Sequence, residues 1–218
     1  LLMRVAKWRP GLSLEFRRGA ELARYGLLVS ANDVVNYARS QVNIFILSHS
    51  LGPASVGLYN KGSSLAGMPF KFIAGSVYQV LFRAMAAEQD NLDKCRYMYG
   101  RSIALVSVYA TPFYVGLIWL AEPLVRGIYG EKWAAAAGSL AILTCAWPFW
   151  LLTNMSGAVI AAQNRLGEEL QIQLAAMVIT ALAVGIALPY GINGVAWAMV
   201  GASAFNCLFT FRLAIRCL

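Results

Sequence analysis

The sequence predicts an all-α, polytopic membrane protein with six transmembrane helices. Three observations carry that expectation. Of 218 residues, 59% are hydrophobic and 13% charged, the mean hydropathy is +0.60, and long uncharged runs alternate with short basic segments. A soluble domain is about half apolar and about a quarter charged, and a disordered chain is more polar still. Four cysteines, Cys95, Cys145, Cys207 and Cys217, are spaced too widely for a metal knuckle or a disulfide scaffold. The net charge of +8 invites a nucleic-acid reading, but its distribution argues for no nucleic-acid partner.

The opening LLMRVAKWRPGLSLEFRRGA carries no charged-then-apolar secretory signal. Residues 1–20 read as the end of a preceding membrane helix plus a basic cytoplasmic linker, so the chain is expected to be a fragment, with one six-helix bundle filling 21–218. A membrane helix needs about 20 mostly apolar residues. Ser102–Ala121 supplies 20 uncharged residues, Trp133–Asn164 supplies 32, and Leu170–Phe211 supplies 42. The last run is interrupted by PYGING (Pro189–Gly194), a turn cluster, and so reads as two helices. Upstream, SHSLGPAS (Ser48–Ser55) divides another long stretch, with Pro53 suited to the first turn of a helix. The expected spans are about 24–48, 53–84, 102–121, 133–162, 168–188 and 193–214. Pro112 and Pro148 are expected to kink the third and fourth.

Loop charges support this count. With the N-terminus inside, 13 Lys and Arg fall in inner segments and only Arg126 and Lys132 in outer ones, while Arg39, Lys61 and Lys71 lie within spans. Basic residues accumulate in cytoplasmic loops, which places both termini in the cytoplasm.

Within the first span, Asn32, Asn36, Arg39 and Asn43 recur at i, i+4, i+7 and i+11, a single helical face. A charge facing lipid costs at least ~2.5–3.5 kcal/mol, so the stripe must face protein or water. The second span carries Asn60, Lys61 and Lys71. An antiparallel pairing puts Arg39 and Lys61 at similar depth and Asp33 near Lys71, as an ion pair or a coupling site. Two cations at one level suit an anionic ligand, although long Lys and Arg stems also snorkel to the interface. Gly194, Ala198 and Ala202 read as close helix packing.

Catalytic patterns are absent from the sequence. The single histidine, His49, lies in a short outer loop, and no HExxH, GxSxG or phosphate-binding glycine loop occurs. GSSLAG (Gly62–Gly67) falls inside a membrane helix with no preceding strand, where packing explains it better. The chain is therefore expected to be no enzyme, with no metal and no cofactor.

One segment carries a family resemblance. LGPASVGLYNKGSSLAGMPFKFIAGSVYQVLFRAMA (Leu51–Ala86) resembles the signature of polysaccharide transporters in the multidrug/oligosaccharidyl-lipid/polysaccharide flippase superfamily. NYARSQVNIFIL (Asn36–Leu47), WRPGLSLE, AEPLVRGIYGEKW (Ala121–Trp133) and PYGINGVAWA (Pro189–Ala198) resemble neighbouring segments of the same family in the same order. Two departures stand out: Asn43 occupies a position where the family often has Asp, and Arg83 replaces the usual Pro of VLFP.

The resemblance implies a bacterial inner-membrane protein with two six-helix bundles around a cavity, this chain being the second bundle and an N-terminal bundle its missing partner. It implies transport of lipid-linked, polyprenyl-diphosphate oligosaccharide for exopolysaccharide, capsule or O-antigen, by alternating access among membrane lipids. Asn32, Asn36, Arg39, Asn43, Asn60 and Lys61 are the expected substrate-binding residues in a cationic cavity. The alternatives are a drug/cation antiporter of the same superfamily and a membrane polymerase or ligase of the pathway.

Overall fold

Gly52 reverses the chain between two long helical limbs. The computed structural model describes residues 16–218, so residues 1–15 of the expected linker lie outside the described part. Helix α1, Phe16–Ala87, is 72 residues long and is broken at Gly52 (φ 79°, ψ 169°). Unbroken, it would reach about 108 Å, more than three hydrocarbon cores. That backbone conformation is open to glycine, and Pro53 follows at once, where its missing N–H costs a new helix nothing. The limbs 16–51 and 53–87 then meet side chain to side chain. Asn43 Nδ2 donates to the Tyr59 hydroxyl at 3.1 Å, although a straight helix would hold two residues 16 apart at about 24 Å.

A four-residue link joins α1 to α2, Leu92–Trp119. Asn91 caps α2 by accepting from the Lys94 N–H at 3.1 Å, and Lys94 pairs with Glu88 at 2.6 Å. The short helix α3, Ala121–Tyr129, ends at Gly130 (φ 87°) and leads through a 3₁₀ turn, Glu131–Trp133, to α4, Ala136–Thr144. Helix α5 is Trp147–Ala162, α6 is Leu166–Ala187, and after the 3₁₀ turn Leu188–Tyr190 comes α7, Gly191–Cys217.

The sequence gives a single span over 133–162, but α4 and α5 are separate helices bent by 50°. Pro148 occupies the first turn of α5, where its ring disrupts any helix continuing from Thr144. Pro112, by contrast, lies inside an α2 that runs on without a break. By length and composition, Ala23–Ala87, Leu92–Trp119 and Leu166–Cys217 can cross a membrane, and the bent α4–α5 pair makes a fourth candidate. The first and last are long runs that the sequence counts as two spans each. The described residues form an all-α membrane protein with no strand.

Helix α1 packs against α2, α4, α5 and α6, and α7 against α4, α5 and α6. Two apolar clusters result. One, with Leu47, Tyr59, Leu140, Val184 and Val195, surrounds the reversal; the other, with Met85, Cys95, Tyr99, Met155 and Leu213, lies toward the opposite ends of the limbs. Tyr114 stacks on Trp147 at 4.9 Å in the second cluster. Large apolar side chains also point outward, Phe45, Phe72 and Trp119 each at least 74% exposed, as lipid-facing surfaces require. The polar residues collect elsewhere, along the first limb of α1.

Candidate functional site

The first limb of α1 forms one wall of a cavity of about 730 Å³, open on one side and otherwise bounded by α5, α6 and α7. Its wall residues are Asn32, Asp33, Asn36, Arg39 and Ser40, with Tyr25 and Val29 below them. Their spacing explains the arrangement, since i, i+4 and i+7 hold Asn32, Asn36 and Arg39 on one face. The second limb contributes Phe70, Tyr78 and Phe82, α5 contributes Asn154 and Gly157, and α6 contributes Glu169 and Gln173.

Hydrogen bonds fix parts of this wall. Arg39 Nη2 donates to Asn36 Oδ1 at 3.0 Å, turning a guanidinium and an amide toward one volume. Asn32 Nδ2 donates to the Leu28 carbonyl at 2.9 Å and to the Leu166 carbonyl at 3.0 Å, which ties α1 to the start of α6. Across the cavity Trp150 Nε1 donates to Ser203 Oγ at 3.1 Å, linking α5 to α7. Beyond the start of α6, Glu168 accepts from Arg165 at 2.7 Å and holds that exposed guanidinium above its ordinary pKa.

The expected site residues divide into two groups. Asn32, Asp33, Asn36 and Arg39 line the cavity together, whereas Asn43, Asn60, Lys61 and Lys71 do not. Asn43 is buried against Tyr59 at the reversal. Asn60 and Lys71 are exposed. Lys61 Nζ lies 4.5 Å from the Tyr129 ring centre and 5.4 Å from that of Trp133, so its ammonium rests on aromatic faces at the α3 end. Asp33 and Lys71 make no ion pair within 4.0 Å among the described residues.

The expected cationic cavity is therefore corrected. With Lys61 held outside and Glu169 brought in, the charged wall residues are Asp33, Glu169 and Arg39, two carboxylates to one guanidinium. Glu169 is not marked as a wall residue by its sequence position, because the expected span 168–188 opens there and paired acids such as Glu168 and Glu169 at a membrane boundary ordinarily face water. Gln173 one turn on was the available signal, since it extends a polar stripe from Glu169 into an otherwise apolar helix.

A family model described as "Polysaccharide biosynthesis protein" matches residues 1–138. The chain belongs to that family. Among the relatives, the lipopolysaccharide biosynthesis protein WzxC of Escherichia coli is 27% identical over 72% of this chain and 32% of its own length. The teichuronic acid biosynthesis protein TuaB of Bacillus subtilis is 22% identical over 73% of the chain and 33% of its own. The succinoglycan biosynthesis transport protein ExoT of Rhizobium meliloti is 24% identical over 65% and 29%. The chain thus spans about a third of the length of these relatives. The family match covers all of α1, α2 and α3 and includes the GLYNK segment that carries the resemblance. The family places the cavity in a membrane protein of polysaccharide biosynthesis.

Proposed function

We propose that this chain forms one bundle of a flippase that moves lipid-linked, polyprenyl-diphosphate oligosaccharide across the bacterial inner membrane. The single observation carrying the reading is the placement of Arg39 beside Asn36 in a polar cavity within an otherwise apolar helical protein. An ionisable side chain at that depth needs water or a charged partner, and a diphosphate supplies the charge. Guanidinium is suited to the purpose because its planar N–H groups bind phosphate oxygens in pairs. Asn32 and Asn36 would hydrogen-bond sugar hydroxyls. A second bundle of the same protein would close the open side, and rocking between the bundles would expose the site to each face in turn. Relatives more than twice as long as this chain support the second bundle.

The test is polysaccharide export by cells carrying the full-length protein with Arg39→Gln or Lys61→Gln at equal protein level. Export is expected to be lost in the first and kept in the second. Normal export from Arg39→Gln overturns the anion site.

One observation favours a second reading. Two carboxylates against one guanidinium is the balance expected of a cavity for organic cations, as in a drug/cation antiporter. Efflux of a cationic dye that depends on Glu169, with no loss of polysaccharide export in the same variant, would favour that reading.

A further inference from the structure

We propose that a groove between α6 and α7 binds one anionic glycerophospholipid, with an acyl chain along the groove and the phosphate on Arg212 and Arg216. The inference goes beyond the transport reading and does not depend on it. The groove, of about 270 Å³, shares no lining residue with the cavity that holds Arg39. On α6, Gln173 and Thr180 line the cavity while Ile172 and Ala175 line the groove. On α7, Ser203 and Asn206 line the cavity while Phe205 and Phe209 line the groove. The same two helices therefore present a polar face to the cavity and an apolar slot on another side.

The slot is apolar along its length and polar at one end. Its floor is Leu213, which is buried in the core cluster against which Ile172 packs. One wall is the Phe205–Phe209 pair, with ring centres 4.5 Å apart and Phe209 still partly exposed. Helical spacing fixes the polar end. Phe205, Phe209, Arg212 and Arg216 recur at i, i+4, i+7 and i+11 and so share one face of α7. Glu168, Gln171, Ile172 and Ala175 recur at i, i+3, i+4 and i+7 and share one face of α6. The helices are joined by a single 3₁₀ turn and run back on each other, so Glu168 at the start of α6 lines the same groove as Leu213 near the end of α7. Both arginines are exposed there, at the end that the loop charges assign to the cytoplasm.

Charge selects the occupant. Glu168 is taken up by Arg165 at 2.7 Å, which leaves the charge of Arg212 and Arg216 uncancelled. Neither has an ion-pair partner within 4.0 Å among the described residues. Two guanidiniums at the end of an apolar slot match a phosphodiester that carries a hydrocarbon chain, since planar N–H pairs bind phosphate oxygens. Basic pockets between membrane helices on the cytoplasmic side hold anionic headgroups in this way. A free phosphate would leave the phenyl wall unused, and a zwitterionic lipid would bring its own cation against the arginines. Bound there, the lipid braces α6 against α7. Because it binds the folded pair and not the unfolded chain, it stabilises the protein.

The experiment is thermal unfolding of the purified full-length protein in a neutral detergent. Dioleoylphosphatidylglycerol, dioleoylphosphatidylcholine or inorganic phosphate is added in turn. Phosphatidylglycerol is expected to raise Tm saturably above the value in phosphatidylcholine, and inorganic phosphate to leave it unchanged. That excess should disappear in the double variant Arg212→Gln/Arg216→Gln. It should also disappear in Ala175→Trp, whose indole fills the slot while both arginines remain; Ala175 is exposed, so the larger side chain displaces no core residue. Arg39→Gln and Arg96→Gln should keep the excess, so failure of this site and failure of the export site are separate results. Equal shifts with the two lipids, a shift reproduced by inorganic phosphate, or an excess that survives either groove variant overturns the proposal. Loss of the excess in Arg96→Gln assigns it to general surface charge and overturns the proposal as well. Should the double variant not fold, Arg216→Gln alone and Ala175→Trp carry the same comparison.

Discussion

Asn43 and Tyr59, on opposite limbs of α1, are joined by a 3.1 Å hydrogen bond beneath the Gly52 reversal. Both are buried, at 5% and 2% exposure, and Asn43 Oδ1 accepts from the Ile44 N–H at 3.0 Å. The pair is a staple for the hairpin, which otherwise depends on apolar packing around Leu47. Removing one partner strands the other, at a cost of about 1–3 kcal/mol. Asn43→Ala and Tyr59→Phe should each lower Tm in detergent. The double variant should lose less than the two losses combined, as partners in contact do. Additive losses would mean that the bond contributes nothing.

Lys61 tests the division between staple and site from another direction. Its ammonium rests on Tyr129 and Trp133 and anchors the α3 segment to the second limb of α1. A cation over an aromatic face is worth about 0.5–2 kcal/mol. Lys61→Met should speed hydrogen exchange in residues 121–133 and leave Lys61→Arg near wild type. An unchanged exchange rate in Lys61→Met would show that the ammonium does not hold the segment.

Gly62 lets α1 and α4 approach closely. A Cβ there would lie 2.5 Å from Ser139 Oγ, 2.9 Å from Leu140 N and 3.1 Å from the Ala136 carbonyl. Two of those three atoms are backbone and cannot rotate away, so Gly62→Ala must push the helices apart, and overpacking of this kind costs about 1–3 kcal/mol. The expected result is a lower Tm that Ser139→Ala restores only in part. Full rescue by Ser139→Ala would place the whole conflict on the hydroxyl.

These three sites mark how far the sequence could be read. Uncharged runs and turn clusters located the reversal at Gly52–Pro53 and the turn at Leu188–Tyr190, because bilayer length and turn chemistry are local properties. They misjudged helix ends: α2 begins at Leu92, ten residues before the expected span, since hydropathy reports where lipid begins and not where the helix does. The face carrying Asn32, Asn36 and Arg39 was legible from the helical period alone. Which side of the second limb Lys61 took was not, because Tyr129 and Trp133 are about 70 residues away and their approach is a tertiary event. Glu169 was hidden for the same reason, its place on the cavity wall depending on α1 and α5 folding against α6.

Accessibility along α1 is the most direct check on the cavity itself. Cys95, Cys207 and Cys217 are buried and Cys145 is exposed, so Cys145→Ala gives a background with no exposed thiol. In it, Asn36→Cys places a thiol on the cavity wall, exposed beside Arg39. Asn43→Cys places one in the buried hairpin seam, and Phe45→Cys one on the apolar outer side of the helix, where Phe45 is 74% exposed and is expected to meet lipid. A maleimide reacts with the thiolate, which needs water to form. A membrane-impermeant, charged maleimide applied to the full-length protein should therefore label position 36 and leave positions 43 and 45 unmodified. Adding substrate or its diphosphate analogue should slow labelling at 36. Protection of position 36 equal to that of 43 would mean that the polar face of α1 is a dry seam, and the transport site would fall with it.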